Sequence, residues 1–404
     1  MSEKLGCKMP VWKVHFDIRL NAQHPEIINY VAKANALASV IRQIPLPPGL
    51  KIKIDALNIM RAVRGTTGIE GAELSEQEVE QIMQTDASKP VLPPTRKRDE
   101  QEARNAQELM RYVVEALQKD PRLQLTERLI LDIHRILTQN IEYKHNVPGE
   151  YRTHAVSAGS YVPPKNGEEV RTLMKEFIVW FNQGEPKGWD PVIRAIVAHF
   201  YVVSIHPFGD GNGRASRGVE SLLLYQAGIN ARGFYSLSNY YYRNREEYIQ
   251  QLDHSRFETD GDITPFVHFA LKGLVEELEA VHTEVLHEMK IISFRDFARE
   301  TLSIGGKLHT ESGARIFRLL SEMSHDPISI KDIKNKRHPL ANIYKGMSSK
   351  TIDRDIGYLK SLQLIKVDGD KMIANVDIMD TFMPPNEYRQ RLVARDIKNK
   401  EIAE

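Results

Sequence analysis

Residues 195–226 constrain the fold more tightly than any other stretch. Ala195–Ile205 is the most apolar run of the chain, and it stops at His206. A polar, glycine-rich turn follows, His206-Pro207-Phe208-Gly209-Asp210-Gly211-Asn212-Gly213, and Arg214–Gln226 leaves it with helical spacing. The turn therefore joins two helices. No Gly-Lys-Ser/Thr follows it, and no third glycine sits where a dinucleotide loop needs one, so neither familiar nucleotide loop applies.

The remaining sequence is also mostly helical in period. Pro25–Ile44, Ile52–Val63, Arg98–Gln118, Thr126–Gln139, Gly167–Asn182, Asp190–Ile205 and Ile263–Met289 read as helices. Ser75 with Glu78 reads as a capping box. Prolines and glycines at 45–49 and 90–94 break the pattern, and residues 148–164 suggest a short hairpin-like segment. After Thr310 the character changes. Thr310–Met323, Ser329–Asn335 and Ser348–Leu362 read as helices, and alternation flanking Asp368-Gly369 signals a tight hairpin. That order resembles a winged helix-turn-helix. The fold expected is mainly α, with domains at 1–109, 110–290 and 310–385, a connector at 291–309 and a tail at 386–404.

Composition narrows the setting. The 55 basic residues nearly cancel the 54 acidic ones, so the chain as a whole is no polycation. Cys7 is the single cysteine, which excludes an intramolecular disulfide framework and a cysteine zinc cluster. No apolar run approaches the ~18 residues of a bilayer span, and no signal peptide is evident. The expected location is the cytoplasm, with no membrane partner.

The turn has its own chemistry. Gly211 and Gly213 let backbone amides approach a ligand, and the helix they open directs unsatisfied N–H groups to the same point, which makes an anion site. Arg214 and Arg217 share one face of the first helical turn, and their forks suit phosphate oxygens. Asp210 suits Mg2+, which is commonly held by one carboxylate plus phosphates. His206 at the rim can accept a proton near neutral pH. Together these features point to phosphoryl or nucleotidyl chemistry.

His206 to Arg217 resembles the signature of the Fic family, His-x-Phe-x-(Asp/Glu)-Gly-Asn-Gly-Arg-x-x-Arg, with every fixed position matched. Gly209 fills a variable position that often bears a side chain. Pro148–Thr153 and Tyr161-Val162-Pro163-Pro164 look like the family's flap, and the resemblance covers about residues 110–290. It implies transfer of AMP from ATP to a Ser, Thr or Tyr hydroxyl of a protein, self-modification included. It makes His206 the base and Asp210 the Mg2+ ligand. Gly211, Asn212 and Gly213 would cradle the α-phosphate, and Arg214 and Arg217 would contact the β- and γ-phosphates. Phe208 would be a core anchor, and Tyr248 would stack on adenine. Tyr161, Val162 and Pro163 would dock the target as an added strand.

Thr66-Thr67-Gly68-Ile69-Glu70-Gly71 matches the family's inhibitory pattern, in which Thr66, Glu70 and Gly71 are the fixed positions. The resemblance implies that Glu70 pairs with Arg217 and removes a phosphate clamp. In some relatives the same glutamate supports removal of AMP, so a de-AMPylating hydrolase stands as an alternative. A second alternative is a DNA-binding regulator with a nucleotide-sensing site. Residues 331–371 hold ten Lys/Arg against five Asp/Glu, and Ser348, Ser349, Lys350 and Arg354 would start a recognition helix. A docking or dimerising module with a solvated basic face fits the same residues. A homodimer is compatible with the sequence. His199 and His254 lack metal-ligand spacing and read as structural or adenine-adjacent.

Overall fold

The computed structural model describes residues 12–159, 161–229, 237–259, 261–323 and 326–380. Cys7 and the expected tail 386–404 lie outside them. The chain divides into two compact units, residues 1–283 and 284–404.

The first unit is helical: α1 (Pro25–Gln43), α2 (Pro48–Ile69), α3 (Glu76–Gln84), α4 (Lys97–Lys119), α5 (Glu127–Thr138), α6 (Gly167–Gln183), α7 (Pro191–Ile205), α8 (Asn212–Gln226), α9 (Ser238–Arg243), α10 (Arg245–Asp253) and the start of α11 (Thr264–Ile304). Helix α7 is buried all round from Ala195 to Ile205, as a helix apolar on every face must be. Its companion α8 is buried on most positions from Asn212 to Leu224. These two form the centre, and α2, α4 and α5 pack about α8. Side chains start the helices where the sequence offers them. Ser75 and Glu78 form the expected capping box, Thr126 accepts from Leu129 N, and Asp190 accepts from Val192 N.

Three local readings change. The second helix does not stop at Val63 but runs to Ile69, through Gly65 and Gly68. Glycine costs helix propensity, yet here it permits close approach. A Cβ at Gly65 would strike the Ser238–Asn239 backbone, and one at Gly68 would strike the Tyr242 ring. The hairpin-like flap is a single bridge, Ala158 with Tyr161, rather than a pair of strands. Helix α11 continues past Met289 to Ile304, so most of the expected connector 291–309 is helical.

In the second unit, the end of α11 is followed by α12 (Glu311–Glu322), β1 (Ile328–Ser329), α13 (Ile330–Lys334), α14 (Ser349–Ser361), β2 (Ile365–Asp368) and β3 (Lys371–Ala374). The antiparallel sheet has the order β1-β3-β2, with Val367 opposite Met372 and Ile328 also opposite Met372. Leu319, Leu359, Leu364 and Met372 centre its core. A buried ion pair, Arg315 Nε to Asp355 Oδ2 at 2.8 Å, ties α12 to α14. Among the described residues, no helix is long and apolar enough to cross a membrane.

Candidate active site

His206 caps the C-terminus of α7 in the left-handed region, φ 52°. Its Nδ1 lies 3.1 Å from the carbonyl of Val203, which can only accept. The proton therefore sits on Nδ1, and Nε2 keeps a free lone pair. Burial, aided by the Arg256 and Arg152 charges, lowers its pKa to about 4, against the opposing hydrogen bond to Val203 and the charge of Glu70. The imidazole is neutral at pH 7 and able to take a proton.

The turn beyond it is held from several sides. Phe208 is buried and stacks on His134, with ring centroids 3.6 Å apart. His134 Nε2 donates to Asp210 O (3.0 Å), and its Nδ1 accepts from Gly149 N (3.0 Å). Burial, as the largest cause, lowers its pKa to about 4, which favours this neutral tautomer. The Asn212 side chain is engaged within the turn. It accepts from Phe208 N (2.8 Å) and donates to Phe208 O (2.9 Å). That amide locks the turn, which leaves only its backbone for a phosphate. Gly211 has φ +75°, where glycine is favoured, and its N–H donates to Asp210 Oδ1.

Gly209, the residue at the variable position, has a local explanation. A Cβ there would collide with the carbonyl of His145. The neighbouring Asn146 Oδ1 accepts from Asp210 N at 3.1 Å. The 143–149 segment thus closes directly on the turn. Gly209→Ala is expected to cost about 2 kcal/mol through this overpacking, visible as a lower midpoint in thermal unfolding of the purified protein.

Both motif arginines are buried and already engaged. Arg217 Nη2 donates to Glu70 Oε1 (2.7 Å) and to Thr66 O (3.0 Å), and its Nε donates to Thr66 Oγ1 (3.1 Å). Glu70 is the C-cap of α2, and Gly71 beyond it has φ +101°. Burial by itself would raise the Glu70 pKa, but the charges of Arg217 and Arg214 outweigh it and hold the carboxyl below its usual range. A Cβ on Gly213 would collide with Glu70 Oε1. The carboxylate therefore stands over the N-terminus of α8, where an anion would bind.

Arg214 Nη1 pairs with Glu102 Oε1 at 2.9 Å, and its Nη2 donates to Tyr143 Oη at 2.7 Å and lies 3.4 Å from Asp210 Oδ1. Tyr143 Oη donates in turn to Glu102 Oε1 (3.1 Å), and Arg98 reaches both Glu102 (3.0 Å) and Asp210 Oδ2 (3.7 Å). Nothing in the local sequence of α4 distinguishes Glu102 from its charged neighbours, and Tyr143 lies in irregular chain. Removing Glu102 takes away the nearest counter-charge of buried Arg214 and leaves only the longer contact to Asp210 Oδ1. Glu102→Ala is expected to cost about 3 kcal/mol, measured by thermal or urea unfolding.

The other expected site residues are less open. Tyr248 is buried, with its ring stacked 4.7 Å from Tyr241 and its hydroxyl 2.9 Å from His199 Nε2. Burial pushes its pKa up to about 12. One ring face is thus occupied by Tyr241. His199 also lies 3.1 Å from buried Glu220, which accepts from Tyr241 Oη. His254 pairs with Glu258 away from this network. Tyr161 is fully buried and donates to Ser204 O (2.8 Å); Pro163 is buried and Val162 half-buried. Only the main chain and Val162 of this segment can face a target.

A helix N-terminus, two buried arginine forks and a neutral histidine thus meet in one place in a helical domain, a set of groups suited to a phosphate-bearing ligand. Residues 124–224 match the model of the Fic/DOC family. The protein adenylyltransferase Fic of Drosophila virilis is 34% identical over 160 residues, which cover 40% of this chain and 30% of that protein. The Aedes aegypti protein of the same name is 36% identical over 145 residues, 36% of this chain and 27% of that one. The chain thus spans under a third of the length of these curated relatives. Fic-1 of C. elegans has a similar fold, with TM-score 0.54 and 23% identity over 65% of this chain and 73% of that structure. A Fic family protein of Desulfovibrio desulfuricans G20 covers 87% of this chain and 96% of its own, with TM-score 0.50 and 21% identity.

Proposed function

We propose that the chain is a protein adenylyltransferase that moves AMP from ATP to a hydroxyl of a target protein, and that Glu70 holds it inactive. The observation that carries this is the single cluster formed by His206, the N-terminus of α8 and Arg217, with the Glu70 carboxylate clasping Arg217 and standing over that N-terminus. His206 takes the proton of a Ser, Thr or Tyr hydroxyl. The oxygen attacks the α-phosphorus, the bond to the β-phosphate oxygen breaks, and pyrophosphate leaves. Backbone N–H groups of Asn212 and Gly213 meet the charge developing on the α-phosphoryl group, where Gly211 lets the chain approach closely, and Arg214 and Arg217 meet that of the leaving group. The main chain of Ala158 and of Tyr161–Pro163 supports docking of an extended target segment.

The donor set fits Mg2+. Asp210 is the carboxylate of the turn, and its side chain is 40% exposed beside the N-terminus of α8. Such a site takes an ion that completes its shell with phosphate oxygens and water. Asp210 would hold it, and bound there it would neutralise phosphate charge.

The cytoplasm is the proposed setting. The second unit has the element order of a winged helix. Its α14 presents Lys350 and Arg354, whereas Lys334 is tied to Asp353 at 2.5 Å. A DNA role would rest on those two exposed cations, and we assign none. Intact-mass spectrometry of proteins incubated with Glu70→Gly protein, Mg2+ and ATP tests the transferase reading. A mass gain of one adenylyl group supports it, and its absence from every protein overturns it.

A further inference from the structure

Arg152 is 3% exposed, yet its hydrogen bonds go to main-chain carbonyls rather than to a carboxylate. Nε donates to His206 O (2.7 Å), Nη1 to His154 O (2.7 Å) and Nη2 to Pro164 O (2.6 Å). Its own backbone N–H donates to Pro207 O (3.0 Å). A guanidinium taken out of water persists only when its donors are met. Here they are met by three separate pieces of chain: the motif histidine and the two ends of the segment 154–164 that frames the site. A Cβ on Gly167 would collide with the Arg152 carbonyl, so the segment closes tightly behind this residue.

The histidine needs such a restraint. A left-handed backbone on a residue with a Cβ is unfavourable, and it survives where the surroundings over-determine it. Arg152 grips the carbonyl of that very residue. Nearby, Arg256 donates to Ser204 Oγ (3.1 Å) and lies 4.3 Å over the Tyr161 ring, while Tyr161 donates to Ser204 O. The far side of the flap is thus pinned to the last turn of α7 independently of Arg152.

We propose that Arg152 is a positioning residue that joins the base His206 to the flap, so that a target hydroxyl laid against the flap meets Nε2 in one fixed geometry. This rests on the transferase reading above. The forked guanidinium is essential to it, since a lysine ammonium is a point charge that cannot span three diverging carbonyls.

The test uses the full chain carrying Glu70→Gly, with Arg152→Lys and Arg152→Ala added singly. ATP affinity is measured by calorimetry, and transfer is measured with and without guanidinium at sub-denaturing concentration. The expected result is a kcat about 10²-fold lower in both variants, from misplacement of the base. ATP affinity should stay within about twofold, because Arg152 does not touch the phosphate cradle. Added guanidinium should raise kcat of Arg152→Ala about fivefold or more, and leave Arg217→Ala unchanged. Unchanged kcat, or a kcat loss matched by weaker ATP binding and not rescued, overturns the proposal.

A second measurement does not depend on transfer. In 13C-histidine-labelled protein, the His206 resonance is followed against pH. The charged groups facing His206 are Arg152 from the flap, Arg256 from residues 254–258 and Glu70 from α2, the last being absent in this background. Loss of Arg152 should shift the resonance and raise the titration midpoint toward the ordinary histidine value. An unchanged resonance and midpoint in Arg152→Ala overturns the proposal. If the Glu70→Gly parent itself transfers nothing, the transferase reading fails, and the resonance alone decides whether Arg152 sets the geometry of His206. Arg152→Lys serves both measurements if Arg152→Ala does not fold.

Discussion

Glu70→Gly protein is expected to transfer label from ATP about 10²-fold faster than wild type. The magnitude follows from the contacts. Glu70 gives Arg217 its shortest hydrogen bond, at 2.7 Å, between ionised partners. Charge-assisted bonds of this kind are worth about 1.5–3 kcal/mol, and each step of about 1.4 kcal/mol is a factor of ten in rate. The same carboxylate stands at the α8 N-terminus, so a triphosphate must either displace it or bind out of line. Removing it frees Arg217 Nη2 without unseating the arginine. Thr66 still accepts from Nε and Nη2 through its hydroxyl and carbonyl. The substitution falls at the end of α2, so little of the helix is lost. Rates of label incorporation at saturating ATP check the prediction, and equal rates in the two proteins would refute it.

His206→Ala in the Glu70→Gly background is expected to lower transfer about 10³-fold, with ATP affinity nearly unchanged. The imidazole has its one free lone pair on Nε2, and no second base stands in the turn, where Asp210 is tied to Gly211 N and Arg214. The pH profile follows from the same residue. With a pKa lowered to about 4, His206 is already neutral at pH 7. Transfer should therefore be flat through neutral pH and fall only as acid approaches about 4. The sign for stability is the same. His206 and His134 both have folded-state pKa values lowered to about 4 from an ordinary 6.5. Between these values the unfolded chain binds more protons, so stability rises with pH and declines as pH drops through that window. A base-driven profile centred near 6.5 would contradict this placement of His206.

How much of this is legible in sequence depends on how far apart the partners lie. The turn His206–Arg217 is contiguous, so its anion site, base and forks can be read from composition and spacing alone. Arg217 and Thr66 are 151 residues apart, and only resemblance to a known pattern joins them. Glu102, Tyr143, Asn146, His134 and Arg152 come to the turn from α4, α5 and the irregular chain between α5 and α6. No local periodicity marks them, because each acts through a contact made only in the folded molecule. Asn212 shows the converse limit. Its position is plain, but its side chain turns inward to lock Phe208 rather than toward a ligand. The end of α2 escapes the sequence for a physical reason as well. The helical period stops at Val63, while packing against α9 needs Gly65 and Gly68 inside a helix.

The most direct test incubates wild type, Glu70→Gly and Glu70→Gly/His206→Ala protein with Mg2+ and α-labelled ATP, alone and with candidate target proteins, and follows protein-bound label on a gel. Label that appears with Glu70→Gly and is lost in the double variant is the result expected from a histidine base in a site that Glu70 keeps closed. Label that persists without His206, or no label from any of the three, would contradict it.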